Sequence, residues 1–372
     1  MYIVLYFKEV PSQDIISISI PRCSCYITHI ISKIWLNDNL FMFIIIIINV
    51  KMNSNIEKET IANKPFETPH ENIISVIMEM QNGNIISGDY NSLIMVWDIT
   101  SYKQICSFKT NAFPTAVIEL LPNIIVIGTN KGYVEVYNVN TSSPFLIEAK
   151  QIHNNKVLSL LNWDNKKYFY STSVDKTLRL WEFSLKGKDP NASSDSDDSD
   201  VDEDIKQKII LRKSYKESIY GYSCISKVNS SSFATGTVKT LLFWNHLQYN
   251  PIHLIDNASG STIEVICVLN DSVLSIGDVD GVITLFNYKT YTKITELRYN
   301  NAHHVRSICP IYDNENLIMA LIMRYVIIFD ITENSANTVY PLDYYEEGGI
   351  VLRNTRKVIT SGSQHRLTLY EV

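Results

Sequence analysis

The sequence is short of the residues that would make several function classes legible. Six cysteines in 372 residues, spread along the chain, cannot build the disulfide framework of a small secreted scaffold. They fit a reducing compartment, the cytoplasm first and the nucleus second. Cys23-Ser24-Cys25 has no second pair and only His29 nearby, so zinc-ligand spacing is missing. Cys224, Cys267 and Cys309 sit inside apolar runs, where a thiol serves as a small hydrophobe. No glycine-rich phosphate loop, H-E-x-x-H or C-x-x-C pair is present. Asp278-Val279-Asp280-Gly281 opens like a calcium loop, but Val282 to Leu285 follow without the closing carboxylate. A net charge of −6 argues against a general nucleic-acid binder. Seven acidic residues lie between Asp195 and Asp204, which leaves the rest of the chain near neutral. The apolar run from Leu40 to Val50 falls short of the roughly 20 residues a membrane-spanning helix needs. No stretch keeps the period of an amphipathic helix.

Short strand-like segments are there instead, rich in the 22 tyrosines and in β-branched residues. The clearest is Ser171 to Glu182. Tyr168, Tyr170, Thr172 and Val174 fit a pleated surface, Asp175-Lys176 is turn chemistry, and Leu178, Leu180 and Glu182 alternate with Arg179 and Trp181. One such hairpin cannot bury its own apolar face, so the chain has to repeat it. Aligning on the aromatic residue of the second strand gives Trp97, Tyr137, Trp181, Trp244, Phe286, Phe329 and Tyr370. The intervals are 40, 44, 63, 42, 43 and 41 residues, and all but one match the period of about 40–45 of a four-stranded propeller blade. The long interval holds the acidic, serine-rich insert at about 186–206. An insertion in one repeat explains it.

On these positions residues 57–372 resemble the WD-repeat family of β-propellers. The resemblance implies an all-β, seven-bladed ring of four-stranded antiparallel blades, closed by an N-terminal strand at about 57–66 that completes the last blade. Six blades plus a decorated hairpin is the second architecture, because repeat six has no Gly or Asp turn unless Met323-Arg324 makes the bend. Residues 1–51 read as an apolar extension outside the fold, with 52–372 as the propeller. The family's structural tetrad is filled in repeat three by His153, Ser171, Asp175 and Trp181. Repeat one keeps His70, Ser87 and Trp97 with Asn91 at the acidic position; repeat five keeps only the Asp280-Gly281 turn; His303-His304 offers repeat six its loop histidine.

Ser171, His153 and Asp175 have the inventory of a nucleophilic triad, but a triad is defined by geometry, and the resemblance places them in a blade-locking hydrogen-bond chain. The expectation is therefore no enzyme, no cofactor, no metal and no catalytic residue. The expected function is a non-catalytic scaffold or adaptor that presents propeller loops to partner proteins. The turn residues Tyr90, Lys131, Lys176, Lys239, Asp278, Arg324, His365 and Arg366 form the candidate partner-binding face. The insert reads as disordered from its composition. Ser194 and Ser199, each with an acidic residue three positions on, are candidate phosphorylation sites. Two alternatives stand beside the scaffold: a membrane-associated trafficking propeller anchored through residues 40–50, and the substrate-recognition subunit of a ubiquitin ligase, for which no F-box-like helix is legible before the repeats.

Overall fold

The computed structural model describes residues 30–36, 39–45, 66–184, 208–216 and 221–371, apart from short interruptions within these spans. The chain divides into residues 1–61 and 62–372. In the first unit, Ile30–Leu36 pairs antiparallel with Asn39–Ile45. Much of the Leu40 to Val50 run is thus in a strand, and no helix among the described residues is long and apolar enough to cross a membrane. The insert, Ser194 and Ser199 lie outside the described residues.

The second unit is a seven-bladed β-propeller. Each sheet is a simple antiparallel meander, the first made of Ile74–Glu79, Ile85–Asp89, Leu93–Trp97 and Gln104–Lys109. The first strand of every blade packs on that of the next, and Glu346–Val351 of blade seven packs on Ile74–Glu79 of blade one, which closes the ring. Burial follows from that geometry. Second strands, such as Ile85–Asp89 and Ile124–Thr129, are covered on both faces and buried at every residue. Outer strands, such as Phe145–Gln151 and Thr292–Arg298, are largely exposed.

Repeat six is a regular four-stranded blade, which removes the six-blade alternative. Met323-Arg324 joins Asn314–Ile322 to Tyr325–Asp330, with Met323 in the left-handed region at φ 51°. Blade seven has three described strands. The expected closing strand at 57–66 lies outside the described residues except for Phe66. That ring is buried, meets Trp97 edge-on at 5.2 Å, and shares one core with Ile74 of blade one and Leu367 and Leu369 of blade seven.

Two devices join neighbouring blades. Gly88, Gly128, Gly236 and Gly277 stand on second strands where the next blade's first strand comes close. A Cβ at Gly277 would lie 2.4 Å from Val305 Cγ1, and one at Gly128 would lie 2.6 Å from Val157 Cγ1. Hydroxyls on or just before first strands add a clamp: Ser75 donates to Gly88 O and Pro114 O, Thr115 to Gly128 O and Val157 O, and Ser223 to Gly236 O and Ile263 O. Each hydroxyl bridges its own blade and the next. Asn and Asp side chains close the turns on the opposite rim. Asp98, Asn138, Asn287 and Asp330 accept from the amides two residues on, as Asx turns do.

The loops divide between two rims of the ring. The turns joining second to third strands lie on one rim, with the segments that enter each first strand; the other loops lie on the opposite rim. Thr177–Ser184 pairs with Lys208–Lys216, with Ser184 opposite Lys208, so both ends of the insert meet at the rim away from Asp175.

Candidate interaction surface

Blade three carries a complete side-chain chain from loop to strand. The Trp181 indole N–H donates to Ser171 Oγ at 2.8 Å, and Ser171 Oγ lies 2.7 Å from His153 Nε2. His153 Nδ1 lies 2.9 Å from Asp175 Oδ2. Ser171 accepts from the indole and so donates to Nε2, which leaves Nδ1–H pointing at the carboxylate; this network assigns the tautomer. Burial pushes His153 down to about 4, against the opposing pull of Asp175. Its imidazole is neutral at pH 7. Burial pushes Asp175 up, but hydrogen bonds from Thr177, the Asn154 amide and His153 outweigh it and hold the carboxyl below its ordinary range. Ser171 is wholly buried, with both partners internal. In this arrangement the hydroxyl is enclosed within the blade and links its loop to its strands.

Blade one has the same chain with a different acid. His70 Nε2 lies 2.7 Å from Ser87 Oγ, which accepts from Trp97 Nε1 at 2.8 Å, and His70 Nδ1 lies 3.1 Å from Asp89 Oδ2. Asn91 is not the acidic member; it sits in the turn and accepts from Asn72 Nδ2. Asp89 ends the second strand two residues after Ser87, so both side chains lie on one face. Its other oxygen accepts the amides of Asn91 and Leu93 and pins the turn.

Asp278 occupies the equivalent place in blade five, at the end of the second strand, and does not stand on the candidate face as its place before the turn suggests. It is buried, accepts from Ser259 Oγ at 2.5 Å and from the Val282 amide, and is closed to a partner. Ser259 there replaces the histidine. Blade four keeps one link, Trp244 Nε1 to Thr235 Oγ1 at 2.9 Å. Blade two substitutes Tyr137, whose hydroxyl donates to the buried Glu135. Neither His303 nor His304 locks blade six. His303 is exposed, and His304 turns to Glu264 of blade five, because the tight Met323-Arg324 bend leaves no acid at the turn.

The remaining candidates do share one rim. Tyr90, Lys131, Lys176, Lys239, Arg324 and Arg366 are exposed, and His365 is half-buried with its carbonyl accepting the His70 amide. A left-handed residue recurs in every one of these turns: Ser92, Gly132, Lys176, Lys239, Gly281, Met323 and His365. Sequence reading missed that register, since glycine marks it in only two blades. Tyr90 packs edge-on against Phe113 at 5.1 Å. At the inner edge of the rim, Arg306 bridges Glu264 and Glu347 across blades five to seven. On the opposite rim a groove of about 510 Å³ between blades four and five is lined by residues including Phe243, Ile252, Tyr288 and Tyr291.

No family model matches the chain. It is similar to the human (Homo sapiens) F-box/WD repeat-containing protein 9, at 30% identity over 98 residues, which are 26% of this chain and 21% of that protein. The match thus spans about a fifth of that relative's length. A local similarity to a WD-repeat protein accompanies the seven-bladed fold.

Proposed function

We propose that this chain is a non-catalytic scaffold that grips partner proteins on the rim bearing Tyr90, Lys131, Lys176, Lys239, Arg324, His365 and Arg366. One contrast carries the reading: these side chains stand on a single rim of a closed ring, six of them exposed, whereas the chemistry-bearing Ser171, His153 and Asp175 are spent on holding a blade together. Blades locked to their neighbours by glycine contacts and hydroxyl clamps fix the turns relative to one another. A partner then meets a preorganised surface, which lowers the entropy cost of association. The free cysteines Cys106, Cys224, Cys267 and Cys309 support a reducing compartment. Affinity purification of the tagged full chain followed by mass spectrometry tests the scaffold: protein partners held in stoichiometric amounts support it, and recovery of the chain alone refutes it.

The name of the human relative motivates a second reading, the substrate-recognition subunit of a ubiquitin ligase. Ubiquitin-ligase components among the captured proteins would favour it, and a capture set without them would remove it.

A further inference from the structure

The charge on the partner-binding rim is not evenly spread. Lys131 in the turn of blade two, Lys156 at the entry to blade three, Lys176 in its turn, Lys216 at the end of its outer strand and Lys239 in the turn of blade four are all exposed. They fill one continuous sector. Among the described residues of the rim loops from Asn111 to Lys239, the one carboxylate that reaches the surface is Asp175, and its oxygens already serve His153, Thr177 and the Asn154 amide. The sector ends at Lys239, where Asp256 accepts from the neighbouring Thr240 and the Asp280 amide donates to Ser261, whose carbonyl accepts the Lys239 amide. No ion pair with a described residue engages Lys131, Lys156 or Lys239.

Lys176 and Lys239 occupy the left-handed turn position, at φ 67° and 71°, that blades two and five give to Gly132 and Gly281 and blades one, six and seven give to Ser92, Met323 and His365. A side chain there carries a conformational cost that glycine avoids.

We propose that this lysine sector binds an Asp/Glu-rich, carboxylate-bearing peptide segment of a partner protein; the assignment rests on the rim being the partner-binding face. The type of cation bears on the layout of the ligand. Arginine's planar fork holds two oxygens of one carboxylate or phosphate, whereas lysine is a mobile point charge that pairs with one oxygen at a time. The sector's arginine, Arg179, is half-buried and donates to Ile152 O. Several separate lysines across three blades therefore match carboxylates distributed along an extended segment.

The test is fluorescence anisotropy of the full chain with poly-glutamate and poly-serine peptides of equal length, at low and physiological salt. Poly-glutamate binds and weakens with salt; poly-serine does not bind. Lys131→Gln, Lys156→Gln and Lys239→Gln together reduce affinity by about tenfold or more, at about two- to fivefold per exposed pair. Lys176→Gly with Lys239→Gly also weakens binding while raising the melting temperature, which separates lost binding from lost folding. Unchanged affinity in the triple variant overturns the proposal, as does tighter binding of a single-stranded RNA through the same lysines. If poly-glutamate fails to bind while a charge-reversed rim still loses its captured partners, the face stands and the acidic-peptide assignment falls. If both fail, both readings fall.

Discussion

Replacing Asp89 by alanine should destabilise the protein far more than replacing Asn91, although the two are only two positions apart around a turn. Asp89 and His70 are wholly buried as a pair, and Asp89 Oδ1 also accepts two turn amides. Removing the carboxylate leaves His70 Nδ1–H in the core without an acceptor and frees two amides. An orphaned buried donor costs about 1–3 kcal/mol, and partial rehydration of the turn amides adds less, for about 3 kcal/mol in all. Asn91 is exposed and contributes one side-chain contact, with Asn72, so its loss should stay within about 0.5 kcal/mol. The same contrast should hold between Asp175→Ala and Asp280→Ala, since Asp280 is exposed. Urea unfolding followed by tryptophan fluorescence, with m-values compared to confirm similar exposed area, reads all four. Equal losses for Asp89→Ala and Asn91→Ala would refute the blade-one lock, and equal losses for Asp175→Ala and Asp280→Ala would refute the blade-three lock.

Further outcomes follow from the core and the blade junctions. Burial raises the Glu346 carboxyl to about 8, with a partial opposing pull from Thr360. The folded state therefore holds a proton that the unfolded state releases above its ordinary pKa of 4.5, so this group's contribution falls as pH rises from about 4.5 to 8. Glu346→Gln should raise the melting temperature at pH 8 and leave it nearly unchanged at pH 4; no pH dependence in that difference would show that the carboxyl is not buried. His153 has the opposite sign: its lowered value makes the folded state weaker as pH falls from 6.5 to about 4, which a wild-type pH series of unfolding free energies should show as an acid-side loss. Gly277→Ala should cost about 1–3 kcal/mol by overpacking the junction with Val305, whereas Gly260→Ala, whose nearest neighbour is Asp280 at 4.0 Å, should be close to neutral. Similar unfolding midpoints for the two would show that the glycine contact does not hold the blades in register.

The number of blades was legible because every repeat keeps one aromatic at a fixed place on the third strand, buried in blades one to six and half-buried at Tyr370, and that constraint survives where other positions drift. Blade three was legible in detail because His153, Ser171, Asp175 and Trp181 all keep the expected spacing. Blade one was misread at its acid. Spacing copied from blade three selects Asn91, four residues after the serine, yet a carboxylate two residues after it, on the same strand face, reaches the same imidazole nitrogen. Asp278 was misplaced on the surface for the same reason, since it is the last strand residue rather than a turn tip. The Ser259 link and the Thr235 hydroxyl could not be found by residue identity, because a different side chain supplies the same hydrogen bond. The recurring second-strand glycines at 88, 128, 236 and 277 were visible as Gly-Asp and Gly-Thr pairs, but their purpose lies in the next blade and needs the ring.

Capture of partners by the tagged full chain, compared with a chain carrying Lys131→Glu, Lys239→Glu, Arg324→Glu and Arg366→Glu, tests the scaffold reading most directly. The four residues are exposed and lie on separate blades of one rim, so their reversal should leave the melting temperature within a few degrees of wild type. The expected result is loss of the captured proteins from the variant with folding intact. An unchanged set of partners at unchanged stability would contradict the placement of the binding face on this rim.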